Sequence, residues 1–253
     1  MGNGIIRNYL SLKNVYKYYY QNAEKKIVLE DINFSAAKAE FVAILGPSGC
    51  GKTTLLKIIA GFLEADRGAV YKDGKELRGS SPERIMIFQE FRQLFPWKTV
   101  ISNILFALNA KRPAINPADR REIARYYLKE VGLSDVGEYY PHQLSGGMKQ
   151  RVALARALAA DPEILLMDEP FGSLDSQRRA KLQRLLVDIW QKTRKTILFV
   201  THDIEEAILL ADRIIVMDTD PGHIKEIINN QLKRPRKRTD LEFTALYKRL
   251  SRL

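Results

Sequence analysis

The feature that most restricts the fold of this chain is a glycine-rich octapeptide, Gly46-Pro-Ser-Gly-Cys-Gly-Lys-Thr53, between an apolar run and a helical one. The run Glu40-Phe-Val-Ala-Ile-Leu45 predicts a buried strand, and a helix is expected from about Lys52 to Gly61. Glycines let successive N–H groups converge on an anion, and the helix N-terminus adds a favourable dipole. The octapeptide fits G-x-x-x-x-G-K-[ST] and therefore predicts a strand, a phosphate-binding turn and a helix in sequence.

Composition excludes several other classes of protein. The chain has 253 residues, 45% of them hydrophobic and 28% charged, which is typical of a globular protein and excludes wholesale disorder and collagen. The longest stretch without a charge, Thr99 to Ala110, is too short to span a bilayer. The N-terminal residues contain no secretory signal, so a cytosolic chain is expected. The single cysteine, Cys50, excludes an intramolecular disulfide.

Apolar runs alternate with helical segments along the rest of the chain, which predicts a mixed α/β fold with parallel strands. Three further buried strands are predicted, at 163–167, 196–200 and 213–217. Three further helices are predicted, at 147–160, 176–194 and 203–211. An antiparallel sheet is expected within 10–77, with a hairpin turn at Asp73-Gly74. Region 91–142 predicts a helical insertion, in which Asn116 caps a helix that has Pro117 at its first position and stops at Gly132.

Two carboxylates, Asp168 and Glu169, follow one of the predicted strands. Side chains alternate along a strand, so these two acids point in different directions. Asp168 suits the coordination shell of Mg²⁺, and Glu169 is then free to polarise a water for attack on a γ-phosphate. In the octapeptide, Lys52 supplies charge to the β- and γ-phosphates and the Thr53 hydroxyl ligates Mg²⁺. An acidic pair alone is more often an ordinary turn; beside the octapeptide, the catalytic interpretation is favoured.

A third motif, Leu144-Ser-Gly-Gly-Met-Lys-Gln150, resembles the signature sequence of ATP-binding cassette ATPases, in which Gln commonly occupies the place of Met148. The other elements of that family follow in the family's order: Gln89 after Ile-Met-Ile-Phe, Ser173-Leu-Asp175 after the acidic pair, and Thr201-His-Asp203 after a strand. The resemblance covers nearly the whole chain. It implies a P-loop NTPase fold with a mixed RecA-like core sheet, an N-terminal antiparallel β subdomain and an inserted α-helical subdomain.

The resemblance also implies a division of the chain. Residues 1–253 would form one nucleotide-binding domain, with a catalytic core at 1–90 and 155–230, a helical subdomain at 91–154 and a basic tail or helix at 231–253.

In the family, two copies clamp two ATP molecules between them. Ser145, at a predicted helix start, would bind with Gly146 and Gly147 the γ-phosphate held by the other subunit. His202 would contact the γ-phosphate, Gln89 would sense Mg²⁺ and water, and Asp175 would cross the dimer interface. The expected catalytic residues are Lys52, Gln89, Glu169 and His202. The expected metal ligands are Thr53, Gln89 and Asp168. The expected nucleotide-binding residues are Tyr19, Gly46, Pro47, Ser48, Gly49, Cys50, Gly51, Lys52, Thr53, Thr54, Ser145, Gly146, Gly147 and Asp175.

The adenine of ATP requires a flat apolar partner. The family's spacing selects Tyr19, and Tyr18 and Tyr20 are close rivals. Cys50 is expected to contribute its backbone only, not a catalytic thiol.

A single nucleotide-binding unit without a membrane span favours an importer with a separate permease. Phe91-Arg-Gln-Leu-Phe-Pro-Trp97 resembles the Pro-Trp stretch of the nitrate, sulfonate and taurine importer ATPases, and Pro235-Arg236 also matches that group. The resemblance implies a Mg²⁺-dependent ATPase at the cytoplasmic face of the cell membrane. Its implied partners are a second copy, permease subunits and a solute-binding protein. Phe95 and Trp97 are candidates for a groove that receives a permease helix, although a core position for Trp97 is nearly as well supported.

The formal net charge of +11 leaves other functions open. The basic run at 233–238 could bind nucleic acid or an anionic membrane, but a solvated linker before an amphipathic segment at 241–253 is favoured. The alternative function is a non-transport cassette ATPase that acts on nucleic acid or the ribosome. No nucleic-acid partner is expected. A catalytically dead scaffold is disfavoured because Glu169 and His202 are both retained.

Overall fold

The computed structural model describes residues 9–21, 24–88, 93–172 and 174–253. The strands within these ranges are β1 (Leu10–Gln21), β2 (Glu24–Ala36), β3 (Phe41–Leu45), β4 (Arg67–Lys72), β5 (Lys75–Glu76), β6 (Arg84–Ile87), β7 (Ile164–Asp168), β8 (Thr196–Thr201), β9 (Arg213–Asp218) and β10 (His223–Asn229). The helices within them are α1 (Lys52–Ala60), α2 (Val100–Lys111), α3 (Pro117–Glu130), α4 (Gly146–Ala159), α5 (Ser176–Thr193), α6 (Ile204–Leu210) and α7 (Leu241–Leu250). Of these helices, none has the length and apolar character that a bilayer crossing requires.

The chain separates into two units, the first formed by residues up to Ser81 together with Arg194–Leu253. This unit contains an antiparallel sheet in the order β2-β1-β4-β5. Asp73 and Gly74 connect β4 to β5 with φ angles of 48° and 77°, the left-handed pair that a tight hairpin requires. The predicted antiparallel sheet and its turn are both confirmed.

The first unit also contains a mixed sheet. Its central strand β3 pairs in parallel with β8 and with β9, and β10 adds an antiparallel strand beside β9. All five residues of β3 and all six of β8 are buried, because strands covered on both faces carry continuous apolar runs. The glycine-rich loop and α1 follow β3 directly. The sheet therefore carries the loop on its most buried strand.

The second unit, Pro82–Thr193, combines helices with the parallel pair of β6 and β7. Helices α2, α3 and α4 pack on one another. Each begins at a polar N-cap: Thr99, Asn116 and Ser145 accept hydrogen bonds from backbone N–H groups at 3.3, 2.9 and 3.4 Å respectively. These caps satisfy N–H groups that a helix end otherwise leaves without partners. The predicted caps at Asn116 and Ser145 are confirmed.

The C-terminal basic run differs from its predicted state. The side chains of Arg234 and Arg236 are only 15% and 2% exposed, so the prediction of a solvated linker is wrong for these two residues. Both guanidinium groups bind backbone carbonyls at the end of α6. The amphipathic segment predicted after the run is confirmed as α7, which buries Phe243 and Leu250.

Candidate functional site

The glycine-rich loop adopts a conformation that only glycine can hold at two of its positions. Gly51, the N-cap of α1, has φ 90°, and a Cβ there would lie 2.6 Å from Leu29 Cδ2. A Cβ at Gly46 would lie 2.7 Å from the carbonyl oxygen of Met217. These positions let the chain turn sharply from β3 into α1, since glycine alone tolerates such angles and approaches at no steric cost.

The side chain of Lys52 folds back over this loop. Its Nζ atom donates to the carbonyl oxygens of Gly46 at 2.8 Å and Pro47 at 2.7 Å, and the residue is 5% exposed. A cation, a helix N-terminus and turning backbone N–H groups thus meet at one place, which is the arrangement that binds phosphate. Pro47, Ser48 and Gly49 form the exposed tip of the loop, where a ligand can reach them.

The end of the octapeptide lies in α1. Thr53, its last residue, and the following Thr54 are half-buried in the first turn of this helix. The thiol of Cys50 is buried, and this burial raises its pKa. A neutral, buried thiol is a poor nucleophile, so Cys50 serves the loop through its backbone and its packing.

The acidic pair lies at the end of a buried strand. Asp168 is the last residue of β7 and is 5% exposed, whereas Glu169 is half-buried and begins the following turn. Glu169 has φ 42°, in the left-handed region that non-glycine residues rarely occupy. Such strain persists where the surrounding fold over-determines a functional geometry. The different directions expected for the two carboxylates stay a prediction.

His202 lies between two fixed neighbours. Thr201 Oγ1 donates to Glu206 Oε2 at 2.7 Å, and the N–H of Asp203 donates to Thr201 Oγ1 at 3.0 Å. Asp203 caps α6 by accepting from the N–H groups of Glu205 and Glu206 at 2.8 and 3.2 Å. The side chain of His202 is exposed. Its imidazole is thus presented from a rigid junction between β8 and α6.

The signature motif forms a second phosphate-type helix end. Ser145 is exposed at the N-cap of α4, followed by Gly146 and Gly147. A Cβ at Gly147 would approach Leu174 Cδ2 to 3.0 Å, so a small residue is favoured there. Met148 contributes its backbone N–H to the cap, which explains why the departure from the usual Gln leaves this helix start intact.

A cavity of about 450 Å³ opens beside the signature motif. Its lining includes Ser145 and Gly147 and the cations Arg151, Arg178 and Lys181. Asp175 caps α5 nearby, accepting from the N–H of Arg178 at 3.0 Å and pairing with its guanidinium at 3.2 Å. Glu130 also lines the cavity, so its lining carries charges of both signs with cations in excess.

The three consecutive tyrosines differ in their surroundings. Tyr19 is 44% exposed, with Lys17 Nζ 5.7 Å from its ring centre. The ring of Tyr18 is covered by Lys25 Nζ at 3.5 Å, and Tyr20 is 75% exposed. Alternation along β1 places Tyr19 on the opposite face from the other two. Tyr19 therefore presents a ring face without belonging to the core.

Four residues of the predicted motifs, Gln89, Phe91, Arg92 and Ser173, lie outside the described residues. The roles expected of them stay predictions.

The Pro-Trp stretch is held by a residue to which sequence reasoning gave no role. Asn103, in α2, is fully buried, and its Oδ1 accepts from the N–H of Phe95 at 2.8 Å. Its Nδ2 lies 3.2, 3.1 and 3.0 Å from the carbonyl oxygens of Phe95, Lys98 and Thr99. One amide thus supplies hydrogen-bond partners to the backbone of three residues in 95–99. A polar residue in an otherwise apolar helical run was the signal that could have revealed it.

Aromatic side chains of this loop and of α2 reach the surface. Trp97 is 70% exposed and Phe106 is 47% exposed. Phe95 lies between them, with ring centres 5.5 Å from Trp97 and 4.8 Å from Phe106. Exposed aromatic groups of this kind mark interaction surfaces. Trp97 is therefore a surface residue, and the core interpretation of it is wrong.

The donor chemistry fits Mg²⁺. Thr53 offers a hydroxyl oxygen and Asp168 a carboxylate, both hard ligands that this ion prefers. Among the described residues there is no cluster of three or more His, Cys, Asp or Glu that could hold a metal ion. Thr53 and Asp168 belong to different units of the chain, so each fits Mg²⁺ by its own chemistry and a shared site stays a prediction.

Along the chain, the glycine loop follows β3, a serine cap opens α4, the acidic pair comes at the end of β7 and the histidine follows β8, which is the order of the corresponding motifs in ATP-binding cassette ATPases. Residues 29–172 match the family model described as ABC transporter, more than half of the chain. The chain belongs to the ABC transporter family, and the predicted fold class is confirmed.

Relatives support this assignment along nearly the full length. The chain is 44% identical over 237 residues to the aliphatic sulfonates import ATP-binding protein SsuB of Bacillus anthracis, covering 94% of this chain and 92% of that one. It is 44% identical over 213 residues to the nitrate import ATP-binding protein NrtD of Synechococcus elongatus, covering 84% and 77%. The predicted resemblance to the nitrate and sulfonate importer ATPases is confirmed.

A solved structure shares the fold. The dimeric post-hydrolysis state of the ATP-binding cassette MJ0796, bound to ADP and Pi, superposes with a TM-score of 0.78 at 34% identity. The match covers 88% of this chain and all of that one.

Proposed function

We propose that this chain hydrolyses ATP with Mg²⁺ as a homodimer on a membrane permease, at the cytoplasmic face of the cell membrane, and so energises import of a small solute of the nitrate, sulfonate or taurine kind. The observation that carries the proposal is the pair of phosphate-type helix ends on one chain, after Gly51 and at Ser145. Each suits a phosphate group, and only one of them has a lysine folded over it.

The glycine loop would bind the β- and γ-phosphates of ATP through backbone N–H groups, with the Lys52 ammonium exchanging its loop carbonyls for phosphate oxygens. When bound, Mg²⁺ neutralises charge on the phosphates, and Thr53 and Asp168 are the groups that would hold it. Glu169 accepts a proton from water as the water oxygen bonds to the γ-phosphorus and the bridging O–P bond breaks. His202 orients that water against the γ-phosphate. Tyr19 stacks on the adenine.

The serine-capped end of α4 would bind the γ-phosphate held by a second copy. Ser145 offers a hydroxyl, Gly146 and Gly147 offer N–H groups, and the neighbouring cavity carries three cations. A dimer of the related cassette MJ0796 supports this arrangement. Asp175, close to the same cavity, would cross to the second copy.

Coupling to the permease would use the aromatic patch formed by Phe95, Trp97 and Phe106. A permease helix with apolar side chains could lay its face against these rings. Two importer ATPases of nitrate and of aliphatic sulfonates support the solute class. The solute itself is selected by the permease and a solute-binding protein.

Action on nucleic acid is the weaker alternative. The basic run that favoured it directs Arg234 and Arg236 into the protein rather than toward a polyanion.

The catalytic part of the proposal is tested with Glu169→Gln. Because the amide cannot accept the water's proton, turnover should fall by on the order of 10²–10⁴ while ATP binding is retained. The variant should also accumulate as an ATP-bound dimer, measured by size-exclusion chromatography with light scattering. Glu138→Gln, an exposed site in the same unit, is the matched control and should behave like the parent.

Unchanged turnover in Glu169→Gln would remove this residue from its role. The transport part is tested by co-purifying the tagged chain with its permease, then measuring ATP-driven uptake of nitrate, taurine and an alkanesulfonate into proteoliposomes. Co-purification with ribosomes or DNA and without a permease would instead support the alternative.

A further inference from the structure

The end of α6 is held by side chains from the C-terminal segment. Arg236 Nη1 donates to the carbonyl oxygens of Ile208 at 2.8 Å, Leu209 at 3.3 Å and Ala211 at 2.7 Å. Arg234 donates to the carbonyl of Leu210. The last carbonyls of a helix have no partner within it, and here two arginines supply donors to all four of them.

A third side chain completes this set. Asn230 Nδ2 donates to the carbonyls of Ile208 and Ala211 at 2.8 and 3.0 Å. We call these three residues, together with Arg238, which pairs with Glu205 at the start of α6, the α6 brace.

The brace is a built feature and not a chance surface contact. The Arg236 side chain is 2% exposed, and burial together with the nearby Arg234 lowers its pKa to about 10. It therefore stays charged at neutral pH while buried, which is costly unless hydrogen bonds compensate. The positive charge also lies at the negative end of the α6 dipole.

The brace also contacts the other end of α6. Arg238 Nε donates to Glu205 Oε2 at 2.5 Å, in the first turn of the helix. In the same turn, the N–H of Glu205 donates to Asp203, and the carboxylate of Glu206 accepts from Thr201. Thr201 and Asp203 flank His202, so a shift of α6 would move the backbone on both sides of it.

Neighbouring cations in the run do not take part. Lys233 and Lys237 are exposed, whereas Arg234 and Arg236 point inward. Arg234, Arg236 and Arg238 thus contact α6, whereas Lys233 and Lys237 face solvent and supply matched controls one residue away.

We infer that the α6 brace, and Arg236 above all, positions His202 for ATP hydrolysis by fixing both ends of α6. This inference rests on the proposed role of His202. Arg236 is a positioning residue: it touches α6 and not the nucleotide.

The test uses the full chain and compares Arg236→Gln with Lys237→Gln. Arg236→Gln should lower kcat by about 10- to 100-fold, because misplacing a reacting group by about 1 Å costs that much, while KM for ATP changes by less than about threefold. Lys237→Gln, which removes the same charge, should stay within about twofold of the parent. Arg236→Lys, which keeps the cation at the helix end, should recover part of the loss.

A second readout follows His202 directly. The chain has three histidines, so ring signals in an NMR spectrum of histidine-labelled protein are few, and His202→Ala assigns one of them. That signal should shift in Arg236→Gln and not in Lys237→Gln, with His142 as an internal reference. Should Arg236→Gln fail to fold, Arg238→Gln disrupts only the exposed pair with Glu205 and should give a smaller shift of the same signal.

Two results would overturn the inference: a His202 signal that matches the parent in the Arg236 and Arg238 variants, or a rise in KM with kcat unchanged. Parent-like turnover in His202→Ala would instead refute the proposed catalytic role of His202, whereas the signal shift tests the brace independently.

Discussion

Asn103 offers a sharp test of how the Pro-Trp loop is held. Its buried amide accepts one hydrogen bond and lies within donor distance of three carbonyls, all in the segment 95–99. Several bonds of about 0.5–1.5 kcal/mol each are lost in Asn103→Ala, so the free energy of unfolding should fall by about 2–4 kcal/mol. Asn109→Ala makes the same substitution at an exposed site of the same helix, and it should cost less than about 0.5 kcal/mol.

The assay uses the protein's own fluorophores. The chain has two tryptophans, of which Trp97 is exposed on the loop and Trp190 is buried in α5. In a Trp190→Phe background, the anisotropy of Trp97 should fall in Asn103→Ala and stay unchanged in Asn109→Ala. Urea unfolding gives the stability difference. The reasoning is refuted if the two alanine variants match in both anisotropy and stability.

Two further predictions concern the nucleotide loop and the aromatic patch. Lys52→Ala should abolish measurable ATP affinity in calorimetric titration, because it removes the cation folded over the loop. The control Lys57→Ala, in the same helix, should keep that affinity. Tight ATP binding by Lys52→Ala would mean that the phosphates lie elsewhere. Trp97→Ala should abolish solute uptake by the permease complex while basal hydrolysis by the isolated chain is kept, since the ring is exposed; loss of both activities would point to a packing role.

Local features of this fold could be predicted from sequence because they depend on near neighbours. The glycine loop, the Asp73-Gly74 turn and the caps at Asn116 and Ser145 each need only a few adjacent residues. The predicted strand before Gly46 begins one residue early, and the rest of it matches β3. Boundaries of this kind follow from apolar periodicity alone.

Features that depend on distant partners escaped prediction. Strand β6 has four residues and pairs with β7, about 80 positions away; so short a run carries little periodic signal. In the sequence, Asn103 is one polar residue within a predicted helix. Its carbonyl partners in the Pro-Trp loop are known only from the structure. The acidic pair is predicted from its place after a buried strand and His202 from the order of the family motifs, and neither signal shows which side chains hold these groups in place.

The basic run shows why composition alone cannot distinguish an exposed cationic patch from cations that bind carbonyls inside the fold. Six consecutive positions at 233–238 hold five cations, and nothing local distinguishes those that meet carbonyls from those that meet water.

The deciding partner is Asp212, whose Oδ1 accepts from Arg234 and whose Oδ2 accepts from the N–H of Phe41 at 3.1 Å. Phe41 begins β3, the strand that leads into the glycine loop. The C-terminal cations are therefore joined to both the phosphate-loop strand and the helix behind His202. Because Arg234 and Arg236 point into the fold, the basic run offers an external polyanion fewer of its cations than its sequence suggests.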